Sequence, residues 1–104
     1  MSSFIGIDLG TSYSAIAYLD KTGRPQIIPN KEGDNITPSV VEVKKDGEIE
    51  VGKYAYKTWG YDKENAHARF KRQMHEDIEI TLGSKNFSPA QLSAEVLKKL
   101  INDT

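Results

Sequence analysis

The stretch IGIDLGTSYS, residues 5–14, decides how this chain is interpreted. Its first half alternates apolar residues with Gly6 and Asp8, it turns at Gly10, and a second apolar run, AIAYL, follows over residues 15–19. Alternation with a period of two on both sides of a glycine-containing turn is typical of a β-hairpin. We therefore predict two antiparallel strands joined by a turn that carries several polar groups.

That turn has the composition of a phosphate-binding loop. Gly10 has no Cβ, so the backbone can approach a bulky anion closely. The N–H groups from Gly10 to Tyr13 can point into one concavity, and the hydroxyls of Thr11 and Ser12 add donors beside them. A carboxylate such as Asp8 next to phosphates requires a cation between them, and Mg²⁺ with its waters is the natural choice. The candidate phosphate ligands are therefore Gly10, Thr11, Ser12 and Tyr13, and Asp8 is a candidate Mg²⁺ ligand through water.

Other interpretations of the turn have to be weighed. No Gly-Lys-Ser/Thr follows it, which excludes a Walker A loop, and no helix begins there, which excludes a dinucleotide-binding fingerprint. The same residue types also occur in ordinary tight hairpins, where Asp, Gly and Thr only form the turn. From the residues alone, the phosphate loop and the plain hairpin both stay open.

Composition limits the classes of protein that fit the chain. At 104 residues it is at most one modest domain. Its 14 basic and 15 acidic residues leave a net charge of -1, and no segment concentrates Lys or Arg beside aromatic residues, so we expect no nucleic-acid partner. The absence of cysteine fits a reducing compartment. No basic segment followed by a long apolar run begins the chain, so we expect neither a signal peptide nor a membrane span.

Further strands are expected after the first hairpin. Residues 24–28 predict a third strand that completes a meander. The Thr-Pro-Ser run at 37–39 is expected to cross between two structural units, because proline keeps the preceding residue extended. A second hairpin is predicted from strands at 40–43 and 48–51 around Asp46-Gly47, which is a strong short hairpin signal.

From Gly52 the pattern changes to short helices and one small hairpin. We predict a helix over 53–59, and a second helical turn that starts at 62–65 and runs toward Phe70. Residues 78–82 and 85–87 predict the strands of a hairpin. The aromatic residues Tyr54, Tyr56, Trp59 and Tyr61 could form a recognition surface, but aromatic residues at helical spacing are usually core, and we expect these to be core.

A longer helix is predicted at the end of the chain. Ser88-Pro89-Ala90-Gln91 has an N-cap serine, a proline at the first helical position and a glutamine at the third, which is a capping box. Glu95 and Lys99 are spaced to pair at i,i+4. The helix has no C-cap glycine before Thr104, so we expect it to be truncated. Its apolar side is formed by Leu92, Val96, Leu97, Leu100 and Ile101.

His67 and His75 have no second ligand at metal-binding spacing and no neighbouring cysteine. We expect both to be solvent-exposed polar residues.

Taken in order, several short motifs resemble the DnaK-type heat-shock chaperones, the seventy-kilodalton class, and the resemblance covers essentially the whole chain. The part of the family that the chain resembles is the N-terminal quarter of its actin-like ATPase domain. The matching segments are residues 5–14, Glu32-Gly33-Asp34, Thr37-Pro38-Ser39, Val51-Gly52, Phe70-Lys71-Arg72, Phe87-Ser88-Pro89 and residues 92–97.

The resemblance implies roles for individual residues. It places Gly10, Thr11, Ser12 and Tyr13 in the first phosphate loop, which holds the β and γ phosphates of ATP. It implies that Asp8 holds Mg²⁺ through water and that Lys71 is catalytic, because Lys71 matches the lysine that lies at the γ-phosphate and stabilises charge there. Ser12 replaces the usual threonine and keeps the hydroxyl.

One segment of the chain departs from the family pattern. The segment between Arg72 and Phe87 is much shorter than in the major members and resembles a compact branch of the HscC type. This shortening does not affect the match at Lys71, but nothing is carried over for residues 74–77.

The resemblance also implies a fold and a function. The fold is expected to be α/β, a fragment of the actin-like, ribonuclease H-like ATPase fold. Residues 1–38 are expected to form the phosphate-loop hairpin and antiparallel β-meander, and residues 39–104 a small α/β peripheral subdomain.

The intact protein is expected to be a cytoplasmic ATPase that binds ATP and ADP with Mg²⁺. ATP hydrolysis is expected to control its affinity for unfolded peptides, and its expected partners are a J-domain co-chaperone and a nucleotide exchange factor. An exchange factor is expected to contact the loop at residues 30–34. Because the opposing half of the cleft follows Thr104 in the family, the isolated chain is expected to have little ATPase activity and weak nucleotide affinity.

Two alternatives belong to other functional classes. The first is a sugar or acetate kinase of the same superfamily, which shares the first phosphate loop. The second is a non-catalytic module that self-associates through open strand edges.

Overall fold

The computed structural model describes residues 5–74 and 76–104. The chain forms a mixed α/β structure with antiparallel sheets. The nine strands of these ranges are β1 (Ile5–Leu9), β2 (Tyr13–Leu19), β3 (Pro25–Ile27), β4 (Thr37–Pro38), β5 (Val40–Val43), β6 (Ile49–Val51), β7 (Ala66–Ala68), β8 (Ile80–Leu82) and β9 (Lys85–Phe87). The helices are α1 (Lys53–Trp59) and α2 (Pro89–Asn102), with a short 3-10 turn at Phe70–Gln73.

The first sheet confirms the predicted meander. Its order is β1-β2-β3, with β1 and β2 in antiparallel register from Ile5 opposite Tyr18 to Leu9 opposite Ser14. The Thr-Pro-Ser run was expected only to cross between units. Instead, Thr37 and Pro38 form β4, which pairs with the start of β2. This pairing brings the Thr-Pro-Ser run directly against the phosphate-loop hairpin.

The second sheet confirms the hairpin around Asp46-Gly47 and corrects the segment after α1. Strands β5 and β6 pair as predicted, with Gly47 at φ 88 in the turn. The helical turn predicted to start at residues 62–65 is wrong, because β7 follows and pairs with the free edge of β5. The reason is packing: Ala66 is completely buried in this pairing, so tertiary context overrides the local helical tendency. Strands β8 and β9 form the small hairpin that was expected.

Helix α2 covers the main core. Its capping box is present as predicted, since the Ser88 side chain accepts from the Gln91 N–H and the Gln91 side chain accepts from the Ser88 N–H. Leu92, Val96 and Leu100 are buried, whereas Leu97 and Ile101, predicted on the same apolar side, are exposed at 36% and 51%. The buried core around α2 consists of Ile16, Val41, Val43, Val51, Phe70, Ile80, Leu82, Phe87, Leu92, Val96 and Leu100.

The ion pair predicted between Glu95 and Lys99 is wrong. Glu95 contacts Lys98 instead, at 3.6 Å. Lys99 contacts Glu32 and Asp103, at 3.1 and 2.7 Å. The i,i+4 spacing allows the predicted pair, but Lys99 instead contacts Glu32, which lies in a loop distant in sequence, and Asp103, which is four residues further along the chain.

The prediction that the aromatic residues near α1 are core is wrong for the tyrosines. Tyr54, Tyr56 and Tyr61 are exposed at 53, 45 and 81%. Helix α1 is only two turns long and buries Ala55 against Val40 and Ala66, which leaves its aromatic side chains at the surface. Trp59 is half-buried and packs against this small cluster.

Within the two described ranges, no helix has the length and apolar content needed to span a membrane.

Candidate functional site

The turn between β1 and β2 is closed tightly at Gly10. A Cβ built on Gly10 would overlap the carbonyl oxygen of Tyr13, so only glycine fits at this position. From the sequence, Gly10 was predicted to allow close approach of an anion, and the structure adds a second requirement for glycine, which is closure of the hairpin itself. The glycine alone therefore does not distinguish a phosphate loop from a plain turn.

Ser39 holds the turn from behind. Its hydroxyl donates to the carbonyl oxygen of Gly10 at 3.0 Å, and its N–H donates to the carbonyl oxygen of Ser12 at 2.9 Å. The hydroxyls of Ser39 and Ser14 are 2.8 Å apart, and both residues are buried. Two carbonyl groups of the loop are thus tied to the protein interior.

The amide groups of the loop are left available. In the described part of the chain, no backbone acceptor receives the N–H of Thr11 or of Ser12. Thr11 is half-buried and Ser12 is exposed, so a ligand can reach these N–H groups. An anion is a suitable partner for adjacent N–H groups in a turn, and the hydroxyls of Thr11 and Ser12 lie in the same loop.

Asp8 lies on the same face of the sheet as the start of β2. It is opposite Ala15, and residues of a strand alternate between faces, so Asp8, Ala15 and Tyr13 share one face. The other face carries Ser14 and Ile16, which are buried. Asp8 is exposed. Its carboxylate is therefore available on the face that Tyr13 shares.

The carboxylates near the loop do not form a protein cage for a metal ion. Across the described residues, no group of three or more His, Cys, Asp or Glu side chains could hold a metal ion. A single carboxylate suits a cation that keeps most of its waters and is also held by phosphate oxygens, as Mg²⁺ is in nucleotide sites. The donor set around Asp8 thus fits Mg²⁺ bound together with a phosphate.

Lys71 lies in the 3-10 turn at Phe70–Gln73 and is exposed. Two residues before it, Arg69 lines a pocket of about 110 Å³ together with Ser12 and Tyr13 of the loop. The structure therefore brings the segment that carries Lys71 to the phosphate loop, although Lys71 itself does not line this pocket.

Three residues near the loop were missed by the sequence argument as parts of the site. Ser39 lies beyond the reach of any periodicity argument, because its role depends on the pairing of β4 with β2. Arg69 is in the left-handed region, at φ 59, which local propensity does not predict for arginine. Trp59 was assigned to the core, but it lines the pocket beside Ser12.

The loop after β3 is tied to the end of α2. Lys31 donates its N–H to Asp103 at 3.1 Å, and Lys99 contacts both Glu32 and Asp103. Burial by itself lowers the pKa of the Lys99 ammonium, but its hydrogen bonds to Asp103 and Glu32 outweigh that effect and raise the pKa above the usual value. Glu32 is therefore paired rather than displayed to solvent.

His67 is half-buried rather than solvent-exposed, which corrects that expectation. Its Nε2 lies 2.9 Å from Gln73 Oε1, and its ring stacks on Phe70 with centroids 6.5 Å apart. These contacts give His67 a packing role. His75 lies outside the described residues.

Comparison with known proteins agrees with the resemblance seen in the motifs. The model of the family described as Hsp70 protein matches residues 4–81, which is 78 of 104 residues. Chaperone protein DnaK of Thermotoga petrophila and that of Thermotoga maritima are each 42% identical over 99 residues, or 95% of this chain. Chaperone protein DnaK of Thermosipho melanesiensis is 39% identical over the same length. The chain spans 17% of the length of these relatives. This chain belongs to the Hsp70 family.

Proposed function

We propose that this chain is the N-terminal part of the nucleotide-binding domain of an ATP-dependent molecular chaperone, and that it forms one wall of the ATP site. The observation that supports this most directly is the construction of the loop between β1 and β2. Ser39 binds the carbonyl groups of Gly10 and Ser12, while adjacent N–H groups of the loop have no backbone acceptor among the described residues. A turn built in this way offers donors to an anion.

Each residue of the loop has a proposed part in binding. The N–H groups from Gly10 to Tyr13 and the hydroxyls of Thr11 and Ser12 contact the β and γ phosphates. Asp8 accepts hydrogen bonds from the waters of Mg²⁺, and the ion neutralises phosphate charge when it is bound. Lys71 brings an ammonium group toward the γ-phosphate, where developing negative charge needs a cation.

The wider assignments follow from family membership. We infer an actin-like, ribonuclease H-like fold for the intact domain, with ATP and ADP as ligands. Hydrolysis in the longer protein would control the binding of unfolded peptides in the cytoplasm, with a J-domain co-chaperone and a nucleotide exchange factor as partners. Within the loop at residues 30–34, the exposed Lys31 and Asp34 are better contact points for an exchange factor than Glu32, which Lys99 holds. Family membership disfavours the sugar or acetate kinase alternative.

Isothermal titration with nucleotide tests the proposed wall. We expect the chain to bind Mg-ATP weakly, because the proposed site residues would contact the nucleotide from one side only, and we expect Mg²⁺ to strengthen that binding. Asp8→Asn removes the carboxylate and should abolish the contribution of Mg²⁺. Asp77→Asn is a matched control, since Asp77 is also exposed but lies in the segment before β8. A micromolar dissociation constant for Mg-ATP would contradict the proposal that this chain forms only one side of the nucleotide site. An unchanged Mg²⁺ dependence in Asp8→Asn would contradict the proposed role of Asp8.

A further inference from the structure

A small pocket between the phosphate loop and α1 has a lining suited to an anion. Its volume of about 110 Å³ is several times what one water molecule needs. The lining residues are Ser12, Tyr13, Val40, Tyr56, Trp59, Ala68 and Arg69. They include three hydroxyl groups, one guanidinium and no acidic side chain, so the pocket presents hydrogen-bond donors and positive charge.

Two cations converge on the tryptophan of this pocket. Lys63 Nζ lies 4.2 Å from the centre of the Trp59 ring, and the Arg69 guanidinium lies 5.4 Å from it. In the part of the chain that the structure describes, neither cation forms a salt bridge; the salt bridges there involve Lys44, Lys98 and Lys99. Positive charge is therefore gathered at Trp59, which lines the pocket together with Ser12, without a salt-bridge partner among the described residues.

The backbone of Arg69 is held in an unusual conformation. At φ 59 and ψ 24 it is the one residue other than glycine with positive φ among those described. This region is unfavourable for an L-residue with a long side chain, and strained positions of this kind cluster at functional sites. Glycine would adopt this backbone conformation at a lower energetic cost. The presence of arginine at residue 69 therefore indicates that its side chain has a role.

We propose that this pocket binds a phosphate group, with the Arg69 guanidinium and the Ser12 hydroxyl as its donors. A guanidinium presents N–H groups in a fork that matches two phosphate oxygens, and the Trp59 ring orients the guanidinium plane. The inference rests on the proposed function, because the phosphate is either a phosphate group of a bound nucleotide or free inorganic phosphate. In both cases the chemistry at Arg69 is the same.

Trp59 supplies the readout, because it is the single tryptophan of the chain and it lines the pocket. The intact chain is titrated with inorganic phosphate, with Mg-ATP and with Mg-ADP, while sodium chloride keeps the ionic strength constant and tryptophan fluorescence is recorded. We expect a saturable change in fluorescence. Saturation by inorganic phosphate identifies the free ion as a ligand, whereas saturation by Mg-ATP or Mg-ADP but not by inorganic phosphate identifies a phosphate group of the bound nucleotide.

Substitution at Arg69 separates binding from folding. Arg69→Gly relieves the backbone and should leave the melting temperature equal or higher, while it weakens phosphate binding about tenfold, the effect expected for loss of a charge-assisted hydrogen bond. Arg69→Asn, which also tolerates positive φ, is a second variant with the same expected loss. Arg24→Ala is the control, because it removes one exposed arginine from the turn before β3 and should leave the titration unchanged.

Three results would overturn the proposal: no fluorescence change with any of the ligands, equal affinity in Arg69→Gly and the unmodified chain, or an equal loss in Arg24→Ala. If Mg-ATP still binds in an Asp8-dependent manner in any of these cases, the proposed function stands and the pocket fails. If phosphate binds through Arg69 but Mg-ATP binding does not depend on Asp8, the pocket stands and the proposed function fails.

Discussion

At the scale of single residues, Gly52 shows how one backbone angle joins two parts of the chain. It lies between β6 and α1 with φ 105 and ψ -134, a region open in practice only to glycine. A Cβ at this position would lie 3.0 Å from Lys99 Cε and 3.1 Å from Thr37 Cγ2. Gly52 therefore combines a special conformation with close packing against α2 and β4.

We expect Gly52→Ala to lower the free energy of unfolding by about 2–3 kcal/mol, from backbone strain and steric overlap together. Gly23→Ala is the matched comparison, because Gly23 also has positive φ, at 80, but no atom lies within 4 Å of its Cβ position. It should cost only about 1 kcal/mol. Urea denaturation of both variants measures the difference, and equal losses would contradict the packing argument.

Lys99 is the residue that ties the loop after β3 to α2. Lys99→Met removes its contacts with Glu32 and Asp103 and should cost about 2 kcal/mol. Lys98→Met is the neighbouring control, since Lys98 makes one exposed contact with Glu95, and it should cost less than about 0.5 kcal/mol. Chemical denaturation compares them, and equal costs would contradict the proposed tie.

The raised pKa of Lys99 gives this tie a pH dependence. A raised pKa means that the stabilisation is fully present below the ordinary value of 10.5 and is lost as the pH rises through the higher folded value. The difference in unfolding free energy between the unmodified chain and Lys99→Met should therefore stay constant at neutral pH and shrink above about pH 10.5. A difference that stays unchanged well above pH 10.5 would contradict this dependence.

At the scale of secondary-structure elements, the pairing of β4 with β2 is what makes the first hairpin a candidate site. The pairing places Ser39 behind the turn, where it holds the carbonyl groups of Gly10 and Ser12. The hairpin alone would satisfy the residue pattern equally well without any ligand. Because β4 is in place, the carbonyl groups of Gly10 and Ser12 are bound within the protein, whereas the N–H groups of the loop are left for a phosphate.

Removal of the Ser39 hydroxyl tests that support. Ser39→Ala leaves the carbonyl of Gly10 and the hydroxyl of Ser14 without their partner, so we expect a loss of about 1–2 kcal/mol and faster amide hydrogen exchange at residue 39, whose N–H is bonded to the carbonyl oxygen of Ser12. Ser84→Ala, in the exposed turn between β8 and β9, is the control and should change neither quantity. Unchanged exchange in Ser39→Ala would show that Ser39 does not hold the loop.

The sequence predicted elements well where the pattern is local. Alternation marked β1, β2, β5 and β6, and the capping box marked the start of α2. The prediction from sequence was wrong at β7. Its three residues adopt a strand conformation because they pair with the open edge of β5, not because of their own strand propensity. The partners of Lys99 were missed for the same reason, since Glu32 is far from Lys99 in sequence.

At the scale of the whole molecule, the first sheet leaves an apolar edge. Within the described ranges β1 pairs only with β2, and Ile5 and Ile7 are exposed at 55 and 39%. In an antiparallel pair of two β1 strands centred on Ile7, Asp8 of one copy would lie opposite Gly6 of the other, so no like charges meet. The edge is therefore compatible with a second copy of the chain.

We expect the chain to self-associate through this edge at high concentration. Sedimentation should show a concentration-dependent increase in mass, and Ile7→Lys should abolish it, because a charge on an edge strand opposes pairing. Ile36→Lys is the control, since Ile36 is exposed at 49% but lies outside the sheets. A monomer at all concentrations would contradict the prediction.

From the residue pattern alone, the candidate site was predictable only as far as its residues are contiguous. Asp8 and residues 10–13 were predicted because they share one short stretch, whereas Lys71 was predicted only through the resemblance to the Hsp70 family, which the order of later motifs indicated. Ser39, Trp59 and Arg69 were not identified, because β4, α1 and the turn after β7 bring them to the loop only in the folded chain.

Amide NMR spectra of the chain, recorded during titration with Mg-ATP, test whether residues 10–13 form one wall of an ATP site. We predict weak binding, with the largest shifts at the amides of Thr11, Ser12 and Tyr13 and with clearly smaller shifts in Asp8→Asn. Shifts centred away from the loop, or the same shifts in Asp8→Asn, would contradict it.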